Sequence, residues 1–184
     1  MVPAILILTL AWTLKSMTDS LGAAAYVSDV VSSSASHLQM LLPAIIFVVA
    51  ALLAFATGTS WGTFGILIPI CVAVFPAAAP LRVISISACM AGAVCGDHIS
   101  PISDTTIMAS AGASCKHVHH VSSQLPYALT VATVSFFTFI VAGFAQSLGF
   151  MAGIVVSWTT GLLLLGAALC FLKKHRRPTA QKSA

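Results

Sequence analysis

Two carboxylates, Asp97 and Asp104, lie in the sequence GDHISPISDTT (residues 96–106), which has apolar residues on both sides. The chain has four acidic residues in all, each an Asp, so half of its acidic groups fall within these eleven residues. An ionisable side chain at bilayer depth is energetically expensive, and it typically faces the bundle interior or an aqueous cavity. The segment therefore predicts a binding site for a cation or a proton.

Hydroxyl side chains surround both carboxylates. Small, hard cations such as Na⁺ bind oxygen ligands from carboxylates, hydroxyls, carbonyls and water. A second polar interruption, TGTSWG at residues 57–62, adds hydroxyls and two glycines that permit close approach of the backbone. The oxygen donors offered by the two segments and their borders are Asp97, Ser100, Ser103, Asp104, Thr105 and Thr106, and Thr57, Thr59, Ser60 and Thr63.

A carboxylate in such a place can hold either a proton or a metal cation, because burial disfavours its charged form and a bound cation restores it. If the site faced the two sides of the membrane in turn, it would exchange one for the other with no further chemistry. His98, next to Asp97, either tunes or relays protons or is a hydrogen-bonded structural imidazole. Ser103 has a second interpretation as the N-cap of a helix that begins there.

Composition places these segments in a membrane protein. The chain of 184 residues is 59% hydrophobic and 7% charged, with a mean hydropathy of +1.04, whereas soluble domains carry about 25% charged residues. Two stretches without charge, Leu125–Ala145 and Phe150–Leu172, reach the length of about 20 residues that spans a bilayer. Leu38–Ala56 nearly reaches it, and Thr63–Ala79 is slightly short. We predict an all-α integral membrane protein.

The two polar segments predict how this helical bundle is interrupted. TGTSWG favours the tip of a re-entrant hairpin, since non-helical backbone is tolerated at membrane depth only where protein or a cavity surrounds it; two full spans with a tight turn are the alternative. Val83–Cys95 and Ile107–Ala113 are predicted as the halves of a discontinuous transmembrane helix with GDHISPISDTT as its break. Pro101 supplies the reason, because it lacks an amide proton and disfavours helix at the preceding residue. GAVCG (residues 92–96) has the small-xxx-small spacing of close helix packing.

The distribution of charge predicts the orientation. Five of the eight basic residues lie in KKHRRPTAQK, residues 173–182, directly after the last apolar stretch. The positive-inside rule makes this tail cytoplasmic; with Lys116 it gives six positive residues inside, and it leaves Arg82 and Lys15 outside. We predict a transmembrane domain over residues 1–172 and a basic cytoplasmic tail over residues 173–184. Its partner is then the lipid bilayer, not nucleic acid.

Other chemistries are disfavoured. KHVHH, residues 116–120, lies in a predicted surface loop, SCKHVHHVSSQ (residues 114–124), and lacks the convergent geometry of a zinc site. The five cysteines show no CxxC spacing. Ser, His and Asp within one motif do not form a catalytic triad. We predict that the chain is not an enzyme and uses no cofactor beyond the transported Na⁺ and H⁺.

The polar segments with their surroundings, TGTSWGTFGILIPI and GDHISPISDTTIMASAGASCKHVHHVSSQLPYAL, resemble the NhaC-type Na⁺/H⁺ antiporter family of bacterial inner membranes. LAWTLKSMTDSLGAAAYV resembles the same family's segment upstream of the hairpin, so the similarity extends from Leu10 to about Ala128. It implies Na⁺ efflux driven by inward protons, with Na⁺ at Asp97 and Asp104. The implied ion and proton site consists of Asp97, Ser100, Ser103, Asp104 and Thr105, supported by Thr59 and Ser60.

The broader family also includes exchangers that resemble these proteins and couple Na⁺ and H⁺ to organic anions such as malate and lactate, so an organic anion is the alternative substrate. Members have two related halves, each with a hairpin and a broken helix, and the site lies between them. This chain resembles the C-terminal half only. We therefore expect one repeat of an inverted-repeat ion transporter fold, with a second copy or a separate N-terminal-half subunit as partner. A truncated membrane remnant without transport activity is the further alternative.

Overall fold

The computed structural model describes residues 36–77 and 79–175 of the chain, and before them the isolated positions 9, 13, 16, 17, 20–22 and 26. The segment upstream of the hairpin and most of the basic tail lie outside the described residues. In the two long ranges the chain forms six α-helices and no strand. They are α1 Ser36–Thr57, α2 Ser60–Val74, α3 Pro80–Ile99, α4 Asp104–Gly112, α5 His117–Ala145 and α6 Phe150–His175, with a 3₁₀ turn at Gln146–Leu148.

The lengths and compositions of these helices confirm the predicted all-α membrane protein. Within the described ranges, α1, α5 and α6 are long and apolar enough to cross a bilayer. α3 and α4 meet the same criterion as a pair, which is bent by 49° at its break. Residues 36–175, as far as the structure describes them, thus form a multi-pass bundle of three spans, or of four when the bent pair counts as one.

α2 is a short apolar helix. Its 15 residues rise about 22 Å at 1.5 Å per residue, which falls short of the roughly 30 Å of hydrocarbon. α1, with 22 residues, is long enough to cross alone. The helix lengths therefore do not support two full spans around TGTSWG. The interruption itself is limited to Gly58 and Thr59, because α2 already begins at Ser60.

α3 packs against α1 through two glycines of the GAVCG segment. A Cβ atom on Gly92 would collide with the carbonyl oxygen of Phe47, and one on Gly96 would collide with that of Ala51. Both pairs are 45 residues apart, so the two helices run parallel. In a membrane, where apolar surface gains little from leaving lipid, such close packing of small residues drives helix association.

The remaining contacts complete a small core around this pair. α5 joins α1 where Gly143 lies against the carbonyl oxygen of Met40. The rings of Phe47 and Phe139 also meet, with centroids 5.5 Å apart. α2 contributes to a buried apolar cluster with α1 and α3, whose members are Ala50, Ala54, Cys71, Cys89 and Ala93. Since α1 and α3 run parallel, their C-terminal ends lie side by side.

The predicted break of the discontinuous helix is longer than the observed one. α3 continues through Gly96, Asp97 and His98 to Ile99, so the interruption covers only Ser100–Ser103. The position fits Pro101, because a proline disfavours helix at the preceding residue but not two residues earlier. Pro43, Pro69 and Pro126 show that this chain also accommodates prolines inside helices.

The predicted surface loop at residues 114–124 is wrong from His117 onward, where α5 begins. The hydroxyls of Ser122 and Ser123 donate to the carbonyl oxygens of His119 and His120 in the preceding turn. α5 has 29 residues, about 43 Å at 1.5 Å per residue. It therefore exceeds the hydrocarbon thickness, and its polar first turns are a helix end and not a loop.

Gly96→Ala is expected to lower the melting temperature of the detergent-solubilised chain. The added methyl group meets the backbone of α1, and overpacking of this kind costs about 1–3 kcal/mol. Gly166→Ala in α6 is the matched control, because its Cβ atom meets no described atom within 4 Å. That control is expected to melt at or above the wild-type temperature, since Ala favours helix over Gly by about 1 kcal/mol. Equal melting of both variants would contradict the glycine contact.

Candidate functional site

The break between α3 and α4 is four residues long, and two backbone hydrogen bonds shape it. The amide of Ser100 donates to the carbonyl oxygen of Asp97 (3.1 Å), and the amide of Ser103 donates to that of Ser100 (3.4 Å). Pro101 has no amide proton, so helical bonding stops there. α4 then begins at Asp104, with Ser103 as its N-cap.

Asp97, in the last turn of α3, is buried with 5% of its surface exposed. Ser103 Oγ donates to Asp97 Oδ1 at 2.6 Å, and Thr105 Oγ1 donates to Asp97 Oδ2 at 3.4 Å. The two hydroxyl oxygens are 2.6 Å from each other. We call these three side chains the Asp97 cluster. It joins one carboxylate with two hydroxyls across the break.

The carboxylate of Asp97 has no cationic partner, since its described hydrogen bonds come from hydroxyls and no ion pair within the described ranges involves it. The last turn of α3 also carries the negative end of the helix dipole. Hydroxyl donors do not neutralise a buried anion, and an uncompensated buried charge is costly. Asp97 is therefore a buried carboxylate whose described partners are hydroxyl groups alone.

Ser103 satisfies both interpretations that the sequence allowed. Its Oγ accepts from the amide of Thr105 at 3.2 Å, which caps the first turn of α4. The same hydroxyl donates its one proton to Asp97. Because that proton is used, Thr105 must be the donor where the two hydroxyls meet, and its single proton serves either Ser103 Oγ or Asp97 Oδ2 at one time. The helix cap and the cluster member are one side chain.

The second predicted carboxylate occupies a different environment. Asp104 is exposed in the first turn of α4, where a negative charge complements the positive end of the helix dipole. Its neighbour Thr106 is buried, and Thr106 Oγ1 donates to the carbonyl oxygen of His98 at 3.1 Å. The structure thus brings Asp97 together with Ser103 and Thr105, and none of the described hydrogen bonds connects Asp104 to them.

The hairpin tip contacts the break. Ser100 Oγ donates to the carbonyl oxygen of Phe55 at 2.7 Å, one of the last four carbonyls of α1 that have no partner within their own helix. Gly58 has a φ of +67°, and a Cβ atom there would lie 3.0 Å from the backbone carbonyl of Ile102. The parallel packing of α1 and α3 thereby joins the two polar segments of the sequence.

Thr59 and Ser60 lie next to this contact and form the start of α2. Thr59 Oγ1 accepts from the amide of Gly62 at 3.3 Å, and the Thr59 carbonyl oxygen accepts from Thr63 Oγ1 at 3.0 Å. Ser60 is half-buried in the first turn. Neither residue has a described hydrogen bond to the Asp97 cluster, so their part in ion binding stays a prediction.

His98 is exposed, and its Nδ1 lies 2.8 Å from the carbonyl oxygen of Val94. A carbonyl oxygen only accepts, so this nitrogen carries a proton and fastens the ring to its own helix. The contact matches the structural interpretation of His98. Its proton-tuning role stays a prediction.

His117 also contacts the break, although its place in the KHVHH segment did not predict this contact. Its Nε2 lies 2.7 Å from the carbonyl oxygen of Pro101, and its Nδ1 lies 3.1 Å from Ser110 Oγ. A weak signal exists in the sequence, because a break leaves carbonyls that need donors and His117 is an N–H donor soon after α4. The three His of KHVHH look equivalent until the start of α5 is known.

A cavity of about 590 Å³ lies elsewhere, between α3, α5 and α6. Its lining is mostly apolar, with a few polar side chains such as Ser135, Thr138 and Gln146. None of the candidate ion-site residues lines it. The candidate site is therefore a hydrogen-bonded cluster and not a preformed cavity.

A multi-pass bundle whose broken helix holds a buried carboxylate is the arrangement of an ion-coupled secondary transporter. Comparison with known families agrees with this class. The model of the Na⁺/H⁺ antiporter family matches residues 1–144, and the chain belongs to that family.

Three relatives show the range of activities among similar proteins. An uncharacterised protein of Haemophilus influenzae is 52% identical over 145 residues, 78% of this chain and 28% of the relative. The malate-2H(+)/Na(+)-lactate antiporter of Bacillus subtilis is 32% identical over 98 residues, which are 53% of this chain and 21% of the relative. The arginine/ornithine antiporter ArcD of Halobacterium salinarum is 32% identical over 116 residues, which are 61% of this chain and 24% of the relative. The chain thus spans about a quarter of these relatives. No solved structure matches it.

Gly58→Ala is expected to destabilise the contact between the hairpin and the break. The positive φ costs about 1–2 kcal/mol for a residue with a Cβ atom, and that atom would press on Ile102. Gly58→Asn separates the two effects, because Asn adopts positive φ more readily but still carries a Cβ atom. We expect both variants to melt below wild type in detergent. Gly112→Ala is the control and should melt like wild type, because its Cβ atom meets no described atom within 4 Å. Full recovery with Asn would contradict the close approach.

Proposed function

We propose that the chain forms the ion-binding portion of an antiporter that exchanges Na⁺ for H⁺, with both competing for Asp97. The observation that carries the proposal is the Asp97 cluster, a buried carboxylate held by the hydroxyls of Ser103 and Thr105 with no cationic partner among the described residues. Family membership supports antiport as the reaction class. The NhaC-type resemblance of the two polar segments supports Na⁺ as the ion.

The cluster can hold either ion after a small rearrangement. With a proton on Asp97, the carboxyl group is neutral and donates one hydrogen bond. With Na⁺, Ser103 and Thr105 would turn their hydroxyl protons away, so that three side chains present oxygen lone pairs to the cation. One carboxylate cannot serve both at once, so the arrival of one ion expels the other. Exposure of the cluster to each side of the membrane in turn completes the exchange.

The proposed location is the bacterial inner membrane with the C-terminal tail in the cytoplasm. α5 and α6 are consecutive apolar helices joined by a short 3₁₀ turn, so the start of α5 and the end of α6 would lie on one side. Lys116 and Lys173 then share that side with the basic tail, as the positive-inside rule expects. Because His117 contacts Pro101, the break would lie toward the cytoplasmic end of α5.

A small organic anion or an amino acid is the second candidate cargo. The observation that favours it is the similarity to a malate-2H(+)/Na(+)-lactate antiporter and to an arginine/ornithine antiporter. The Asp97 cluster itself has no cationic side chain to bind a carboxylate within the described residues. In this variant of the proposal, Asp97 binds the coupling Na⁺ or H⁺, and the organic substrate binds elsewhere.

We further propose that a second copy of the chain, or a separate N-terminal-half subunit, completes the site. The chain spans about a quarter of its relatives, and large apolar side chains are exposed beside both interruptions. Trp61 is 72% exposed, Ile102 58% and Met108 67%. A partner packed over them would also close the Asp97 cluster against water. Without such a partner, the chain would be the non-transporting alternative.

Asp97→Asn is expected to abolish Na⁺-linked proton movement, since an amide neither takes up a proton at neutral pH nor neutralises a cation. The measurement uses everted membrane vesicles from a bacterial host that lacks its own Na⁺/H⁺ antiporters. Addition of Na⁺ should dequench a pH-sensitive dye with the wild-type chain and not with the variant. Asp104→Asn is expected to have a smaller effect, because Asp104 is exposed.

Purified protein gives a second measurement of the same prediction. Na⁺ that binds the folded state raises the melting temperature by mass action, so wild type should respond and Asp97→Asn should not. Thr130→Ala is a matched control with a wild-type response, since its hydroxyl donates to Pro126 within its own helix. Equal responses of wild type and Asp97→Asn would refute Asp97 as the ion site. No response of wild type in either assay would support the non-transporting alternative.

Proteoliposomes distinguish the two candidate cargoes. If Na⁺ and H⁺ are the exchanged species, an inward Na⁺ gradient should drive proton efflux, and labelled malate, lactate and arginine should remain outside. Na⁺-dependent or H⁺-dependent accumulation of one of these compounds, lost in Asp97→Asn, would establish the second candidate instead.

A further inference from the structure

His117 is a residue through which α5 contacts the break. It is half-buried at the first position of α5. Its Nε2 lies 2.7 Å from the carbonyl oxygen of Pro101. Its Nδ1 lies 3.1 Å from the hydroxyl of Ser110, which is buried in the last turn of α4. One imidazole therefore ties together the break, α4 and α5.

The protons at this junction can be counted. The Pro101 carbonyl oxygen only accepts, so Nε2 of His117 carries a proton. Ser110 Oγ also lies 2.8 Å from the carbonyl oxygen of Ile107, which again only accepts. A hydroxyl has one proton. If Ser110 donates it to Ile107, then Nδ1 must donate to Ser110, and the ring is a charged imidazolium.

The neutral ring cannot make all of these bonds. With its proton on Nε2, Nδ1 becomes an acceptor and requires the proton of Ser110. The hydrogen bond from Ser110 to Ile107 is then lost. The charged form of His117 thus supports three hydrogen bonds at the junction, and the neutral form supports two.

The bond from His117 supports the middle of a loop that is held on both sides. Ser100 is fixed by its bond to Phe55, and Ile102 lies against Gly58. Pro101 stands between them. Ser103, which donates to Asp97, closes the same loop only two residues later. A change in the hydrogen bond at the Pro101 carbonyl therefore shifts the loop that carries Ser103, the donor to Asp97.

We propose that His117 is a proton-sensitive positioning residue for the Asp97 cluster. Its imidazolium fixes the loop to α4 and α5 through hydrogen bonds from a charged donor. Loss of the proton weakens the bond to Pro101, because a neutral donor bonds less strongly than a charged one, and releases the bond from Ser110 to Ile107. Imidazole is the side chain whose charge ordinarily changes between about pH 5 and 8. The inference rests on the proposed role of Asp97 as the ion site, and His117 itself does not touch the ion.

Other titratable or charged groups lie on the surrounding elements. Cys115 Sγ donates to the carbonyl oxygen of Ser110 at 3.6 Å and not to its hydroxyl. None of the described hydrogen bonds joins His117 to any of these groups, but several are imidazoles that an experiment must separate from it. They are Asp97 and His98 on α3, Asp104 on α4, Cys115 and Lys116 before α5, and His119 and His120 on α5.

The first test measures the melting temperature of the detergent-solubilised chain between about pH 5.5 and 8.5. Folding favours the protonated ring, because that form makes more hydrogen bonds in the folded chain. Its stabilising effect is therefore present at low pH and is lost as the pH rises. His117→Gln keeps an N–H for Pro101 and does not titrate. Wild type should lose a few degrees more than this variant across the range.

Two further variants make this test specific. Ser110→Ala removes the hydroxyl whose proton distinguishes the two ring forms, so its profile should be flatter than that of wild type. His119→Gln removes a neighbouring imidazole and should follow wild type. Parallel profiles of wild type and of both His117→Gln and Ser110→Ala would overturn the proposal, as would a His119→Gln profile as flat as that of His117→Gln.

The second test measures the Na⁺ concentration of half-maximal dye response in everted vesicles at each pH. His117→Ala should raise this Na⁺ concentration about tenfold near pH 6, because the variant loses a hydrogen bond from a charged donor. His117→Gln should restore the wild-type concentration at that pH. Above neutral pH, the concentration for wild type should rise relative to that for His117→Gln, since competition between Na⁺ and H⁺ affects both chains alike. A wild-type concentration and pH profile in His117→Ala would overturn the proposal. Failure of the antiport proposal would be seen separately, as equal Na⁺ responses of wild type and Asp97→Asn. The melting profiles test His117 without Na⁺ and do not depend on that proposal.

Discussion

Backbone groups released by an interrupted helix must find partners inside the protein, because hydrocarbon offers none. The contacts around the break of this chain meet that demand with side chains from several elements. Most of these side chains lie within a few residues of Asp97 or contact the loop beside it, so the polar groups that make the interruption possible also surround the carboxylate. The carbonyl and donor pairs are Phe55 with Ser100, His98 with Thr106, and Pro101 with His117.

The parallel packing of α1 on α3 decides that the two interruptions meet. Three successive contacts, Phe47 with Gly92, Ala51 with Gly96, and Phe55 with Ser100, keep a constant separation of 45 residues along the chain. The first two are backbone approaches that only glycine permits, and the third is a hydrogen bond at the end of both helices. A larger residue at either glycine would push α3 away and would separate Ser100 from its carbonyl partner. The packing motif and the site are therefore parts of one helix contact.

Much of the architecture could be predicted from the sequence, because its causes are local. Apolar runs of sufficient length indicate spans, and Pro101 disfavours helix at Ser100. The choice between Asp97 and Asp104 could not be predicted, since it depends on which side of α3 faces α1 and on the bend that follows. The helical structure of the KHVHH segment could not be predicted either, because a polar helix end outside the hydrocarbon and a surface loop have the same composition. His117 is distinguished from His119 and His120 only by its place at the start of α5.

Ser103 belongs at once to the end of a helix and to the surroundings of a carboxylate, with one hydroxyl serving both. If Asp97 binds an ion as proposed, the free energy of that binding and the free energy of capping α4 are linked quantities. An ion that draws on the lone pairs of Ser103 competes with the Thr105 amide, and losing a helix cap typically costs about 1 kcal/mol. By reciprocity, a reorientation of the nine-residue α4 that moves Ser103 would change the affinity of the proposed site for its ion. Occupancy and the angle of a short helix would thus be coupled through a single oxygen atom, with no intervening chain of residues.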